Sequence, residues 1–196
     1  SEDPKFYELS EVDLCVKFKE ISNLTAYIEK AETFIKNSGI ELILQLMEHP
    51  NEDLKSIALK MLEELLEIDQ LVPSITKTLI ENKAIRIIDS CIEFDVLTGF
   101  ELMLKLIDIQ PDVFVKDIVI NNYVIPSILK NIDSEGDVSV TASELLYTII
   151  TDAVQNEYLR PGVDRLVETG TLGEIVDIVM RWTWLSTEED KECYSF

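Results

Sequence analysis

Asp133, Glu135, Asp137, Ser139, Thr141 and Glu144 set oxygen-bearing side chains at positions 1, 3, 5, 7, 9 and 12 of a calcium-loop spacing. A hard divalent cation is wrapped by oxygens in this way. Position 6 of such a loop needs glycine for its sharp turn, but Val138 stands there and Gly136 comes two residues early. The same stretch is the expected corner between two helices, so it is read as a corner and no calcium site is assigned. His49 is the single histidine. Nucleophilic triads and HExxH zinc sites need a well-placed imidazole, and His49-Pro50-Asn51 reads as a break between helices. Cys15, Cys91 and Cys193 lie 76 and 102 residues apart with no CxxC pair, which argues against a zinc cluster or a disulfide framework and for an intracellular chain. Neither GxxxxGK[ST] nor GxGxxG occurs, so no phosphate cradle is expected. Glu63, Glu64 and Glu67 fall on the polar side of an amphipathic helix, as solvated charge rather than paired acid and base. No catalytic residue, metal or cofactor is expected, and the chain is read as not an enzyme.

The elements that would carry any site are set by a segment that recurs four times. It runs Phe34-Ile35-Lys36-Asn37-Ser38-Gly39-Ile40, then Leu79-Ile80-Glu81-Asn82-Lys83-Ala84-Ile85. The third and fourth copies are Val119-Ile120-Asn121-Asn122-Tyr123-Val124-Ile125 and Leu166-Val167-Glu168-Thr169-Gly170-Thr171-Leu172. Two apolar residues precede a short polar stretch, and an apolar residue then opens a helical pattern. From Ile35 to Ile80, Ile120 and Val167 the steps are 45, 40 and 47 residues. That period belongs to stacked helical repeats, each burying its apolar face against its neighbours.

A second helix is expected after each copy. Ile40, Ile43, Leu44 and Met47 share one face at i, i+3, i+4 and i+7. Their counterparts are Ile85, Ile88, Cys91 and Ile92; Ile125, Ile128, Leu129 and Ile132; and Leu172, Ile175, Val176 and Val179. Pro50 ends the first of these helices, and Asn51 is placed to cap the next through its side-chain oxygen. A third helix follows in three units, where Ala58, Leu62 and Leu65 match Phe100, Leu104 and Ile107, then Ala142, Leu146 and Ile149, at steps of 42. Shorter first helices are expected over 71–80, 112–120 and 156–167, the last interrupted by Pro161. Residues 11–36 supply two more helices as a partial repeat or cap. Trp182, Trp184 and the acidic Glu188-Glu189-Asp190 either seal the far end or mark where a longer protein continues, and Ser1 in place of Met reads as a cut from such a protein.

The chain has 196 residues, 46% of them hydrophobic, enough for a continuous core. No apolar run approaches the ~18 residues of a membrane span, and no signal segment opens the sequence. Thirty-eight acids against 17 bases give a formal charge of -21. Phosphate backbones and acidic membranes are repelled by such a field, whereas a basic protein surface is drawn to it. The expected partner is therefore a protein with a basic surface, with no nucleic acid and no membrane.

The four copies and their three-helix units resemble armadillo-repeat proteins along the whole chain. The resemblance implies an all-α fold, a right-handed α-solenoid of about four armadillo-like repeats, and a non-enzymatic protein-binding scaffold in the cytoplasm or nucleus. The expected division of the single 1–196 solenoid is a cap over 1–37, repeats over 38–83, 84–122 and 123–170, and a partial repeat with acidic tail over 171–196. Neither Trp182 nor Trp184 has Asn four residues on, so the Trp-x-x-x-Asn cargo pairs of nuclear import receptors are missing. The basic groove of β-catenin is also unlike this acidic chain. The helix order through Gly99–Pro111, Val124–Leu129 and Asp137–Ile150 resembles the assembly chaperones of the proteasome base, which grip a proteasome ATPase subunit. Armadillo-type nucleotide-exchange factors of Hsp70 and the splicing-associated β-catenin-like family are the alternatives.

In armadillo rods the third helices line the concave face. Steps of 42 along their outward sides align Glu63, Lys105 and Tyr147 in one row. Glu67, Asp108 and Thr151 form a second row, with Lys60 and Glu101 alongside. Tyr147 is the expected anchor, because exposed aromatics tend to hold interfaces.

Overall fold

The computed structural model describes residues 10–25, 27–157, 159–178 and 180. Among them the chain is all-helical, with no strand. It divides into two compact units, Ser1–Ile109 and Gln110–Phe196.

The first unit holds α1 (Glu11–Thr25), α2 (Ile28–Lys36), α3 (Gly39–Met47), α4 (Glu52–Leu66), α5 (Val72–Glu81), α6 (Ala84–Asp89) and α7 (Val96–Ile109). Two short-second-third sets, α2-α3-α4 and α5-α6-α7, follow one another. Like helices touch like: α6 lies against α3, and α7 against α4. On the other side α1 packs on α4 as the third helix of a preceding set would. The second unit holds α8 (Pro111–Asn121), α9 (Ile125–Asn131), α10 (Asp137–Gln155) and α11 (Leu159–Glu168), followed by a helical stretch over 171–178. Here α10 packs on α8 and α9, and α11 lies on its counterpart α8.

The recurring segments are the tight corners between first and second helices, and their polar letters now have a physical reason. Asn37, Asn82 and Asn121 each turn the side-chain Nδ2 back to donate to the carbonyl four residues earlier, on Thr33, Thr78 and Asp117, at 2.7, 2.9 and 3.0 Å. The Thr33 and Thr78 carbonyls also accept the backbone N–H of the same Asn, at 3.2 and 3.1 Å, so the side chain adds a second bond at the helix end. The next residue adopts a left-handed conformation: Ser38 at φ 62, Lys83 at φ 51 and Asn122 at φ 54. Such a residue just past a helix end reverses the chain. The fourth copy uses Gly170 at φ 77, and the end of α10 repeats the device with Asn156 and Glu157, at φ 58. Gly39 follows because a Cβ there would sit 2.6 Å from the Phe34 carbonyl oxygen. In the third copy a further turn intervenes. Buried Val124 stands at φ 65 and ψ −37, with the Ile125 N–H donating to the Tyr123 carbonyl at 2.6 Å, a strained γ-turn for a β-branched residue.

The left-handed lysine gives a direct test. A non-glycine residue in this region costs about 1–2 kcal/mol, partly offset in glycine by unfolded-chain entropy of about 0.5–1 kcal/mol. Exposed Lys83→Gly should therefore stabilise the protein by roughly 0.5–1 kcal/mol in chemical denaturation. A destabilised variant would contradict the assigned backbone.

The apolar faces largely follow the expected periods; in the third set Ile125, Ile128 and Ile132 are buried and Leu129 is half-buried. Ile40, Ile43, Leu44 and Met47 are all buried on α3. Ile85, Ile88, Cys91 and Ile92 are buried too, but α6 ends at Asp89, so Cys91 and Ile92 reach the core from turns over 90–94. The Cys91 thiol donates to the Met47 carbonyl at 3.0 Å, and burial pushes its pKa up, so it is a core residue and no thiolate. Over 171–178 the buried face is Thr171, Ile175 and Ile178; Val176 is exposed, Leu172 is half-buried, and Val179 lies outside the described residues. Pro161 sits in the first turn of α11 and opens the helix instead of interrupting one that begins at Asn156, which caps α10. Among the third-helix residues Ala58, Leu62, Leu65, Phe100, Ile107, Ala142, Leu146 and Ile149 are buried, with Leu104 partly so. Trp182, Trp184 and the acidic tail lie outside the described residues.

Candidate functional site

The calcium-loop letters do not form a loop. Only 132–136 are a corner; Asp137 opens α10, so Ser139, Thr141 and Glu144 ride on a helix. The Ser139 hydroxyl donates to the Ile132 carbonyl at 2.6 Å and that of Thr141 to the Asp137 carbonyl at 2.8 Å. No group of three or more His, Cys, Asp or Glu side chains able to hold a metal exists among the described residues. His49 Nδ1 accepts the Asn51 backbone N–H at 3.1 Å, while Asn51 caps α4 by accepting from the Leu54 N–H at 3.1 Å. The imidazole thus helps build the corner.

The expected binding residues divide between the two units. On α4 and α7 the structure brings together Glu63, Glu67 and Lys105. The Lys105 ammonium lies 3.3 Å from Glu63 Oε1 and also bonds Glu67 Oε1. The 42-residue step is therefore a physical neighbour relation. It is repeated by the Ser22 hydroxyl donating to Glu64 on α1 and α4, at 3.0 Å. Burial opposes the Lys105 charge, but the hydrogen bonds to Glu67 and Glu63 outweigh it and hold the pKa above its ordinary value. Lys60, Glu101 and Asp108 are exposed on the same two helices.

A raised lysine pKa stabilises the fold fully below the ordinary lysine value, and that contribution fades as pH climbs through the folded value. Lys105→Met should cost about 1 kcal/mol at neutral pH, discounted because Glu67 is largely exposed. The gap between wild type and variant in denaturant titrations should narrow as pH rises above the ordinary lysine range. A gap constant with pH would assign the loss to packing instead.

Tyr147 and Thr151 stand on α10 in the second unit. Tyr147 is 69% exposed and Thr151 half-buried. Two companions were missed in the sequence: Val140 and Val154, 66% and 59% exposed, seven residues to either side of Tyr147. At 100° per residue the three fall within about 40° of one another, an outward apolar row about 21 Å long. Asp137 and Glu144, the false calcium ligands, run beside it. Their seven-residue spacing was legible; the exposure of the row was not.

The third helix of the second unit thus buries one face and leaves an apolar row exposed on the other. A family model described as catenin-beta-like, Arm-motif containing nuclear, matches residues 1–170. The chain belongs to that family. Catenin-beta-like membership accords with the helical sets, and Arm-repeat proteins generally contact other proteins. No curated protein and no solved structure matches the chain. No helix among the described residues is long and apolar enough to cross a membrane.

Proposed function

We propose that this chain is a non-enzymatic scaffold that binds a basic protein partner on its third helices, within the nucleus. The observation that carries this reading is the outward row Val140, Tyr147 and Val154 on a helix whose other face is buried. Exposed apolar side chains aligned over several turns mark contact surfaces. The charge of -21 supports a basic partner, and the family description supports the nucleus over the cytoplasm. The non-enzymatic part of the proposal is supported by one histidine, engaged in a corner, and by a buried Cys91 thiol with a raised pKa. Continuation of the helical sets as a right-handed solenoid of about four armadillo-like repeats belongs to the same proposal.

Among partner classes, the splicing-associated β-catenin-like reading accords best with the family description. An assembly chaperone of proteasome ATPase subunits and an Hsp70 exchange factor are the other two readings, and each names a different protein to be captured. Affinity purification with wild-type and Tyr147→Ala chains, followed by mass spectrometry, separates them. Splicing proteins lost from the variant are the expected result. A capture profile identical for both chains would remove the α10 surface from the function.

A further inference from the structure

We infer that the outward face of α10 is a half-seam for a partner α-helix carrying Lys or Arg between its apolar residues; the inference rests on the scaffold reading above. Asp137, Val140, Glu144, Tyr147, Thr151 and Val154 follow one another at intervals of 3, 4, 3, 4 and 3 residues. That is the spacing of a coiled-coil seam, with the apolar residues in one heptad row and Asp137, Glu144 and Thr151 in the other. The opposite face carries Ala142, Leu145, Leu146, Ile149 and Ala153 into the core, so the helix cannot rotate to hide the seam. Neither Asp137 nor Glu144 has a side-chain ion pair or hydrogen bond among the described residues.

The chemistry selects the occupant. A helix docked on Val140, Tyr147 and Val154 desolvates the flanking carboxylates, which is unfavourable unless cations face them. A second copy of α10 cannot supply them, because residues 137–155 contain no Lys or Arg. The heptad rise of about 10.5 Å matches a helix. An extended strand presents one face about every 6.6 Å and falls out of step.

The test uses the 196-residue chain and synthetic three-heptad peptides with Leu in one row and Lys in the other. Fluorescence anisotropy should show saturable binding, with helicity gained by circular dichroism, weakening at least tenfold for Tyr147→Ala and for Val140→Asp. It should also weaken as salt rises. A peptide with Glu in place of Lys should fail against wild type and bind the Asp137→Lys/Glu144→Lys chain. Thermal melts matching wild type show that the variants fold. Equal binding of a proline-broken basic peptide would overturn the inference, as would failure of the charge swap. So would a Tyr147-dependent dimer of the chain alone in sedimentation equilibrium. No peptide binding alongside Tyr147-dependent capture from cells would sink the helix partner and leave the scaffold standing; loss of both would sink both.

Discussion

Phe100→Ala is expected to destabilise the protein by about 3–5 kcal/mol, the range for truncating a fully buried aromatic. Phe100 lies on α7, which packs on α4, and has no exposed surface. The 42-residue step puts the smaller Ala58 and Ala142 at the matching positions, also buried, so the large ring is particular to this set. The segment before α7 is already packed closely against it: a Cβ on adjacent Gly99 would lie 2.8 Å from Ile92 Cγ1. The backbone cannot collapse readily into the void, which puts the cost toward the upper end. A melting temperature lower by roughly 10–20 °C is the expected readout, with Phe100→Leu losing less than half as much. A drop below about 1 kcal/mol would mean that the ring is not the packing unit it is taken for.

Tyr147→Ala should behave in the opposite way. Its ring stands in solvent, so stability should change by no more than about 0.5 kcal/mol. Affinity for the captured partner should fall by about 2 kcal/mol, roughly 30-fold, as for a central aromatic anchor flanked by weaker contacts. Tyr147→Phe should keep most of the affinity if the ring and not the hydroxyl is the contact. A stable variant that binds its partner like wild type would remove Tyr147 from the interface. An unfolded variant would contradict its exposure. The pairing of this substitution with Phe100→Ala separates loss of fold from loss of contact.

Corners and helices were largely legible in the sequence, because both depend on neighbours a few residues away. Asn51, following Pro50, has the letters of a cap, and it accepts the Leu54 N–H. The spacing of Ile40, Ile43, Leu44 and Met47 predicts one face, and all four are buried. The end of α6 at Asp89 is not legible, since Cys91 and Ile92 continue the apolar period while the chain has already turned. Periodicity reports which residues can share a face, and a turn can bury the same residues as a further helical turn.

Which outward residues remain outward is a different kind of information. Glu63, Lys105 and Tyr147 were aligned by one step of 42, yet Lys105 is held by Glu63 and Glu67 whereas Tyr147 stands bare. Val140 and Val154 look like core residues by type, and Asp137 and Glu144 look like cation ligands by spacing. Their placement on one outward face of α10 depends on α8 and α9 covering the opposite side. Local letters set helix, cap and corner through short-range hydrogen bonds and sterics. Exposure and pairing are settled by segments tens of residues away, and no window along the chain contains them.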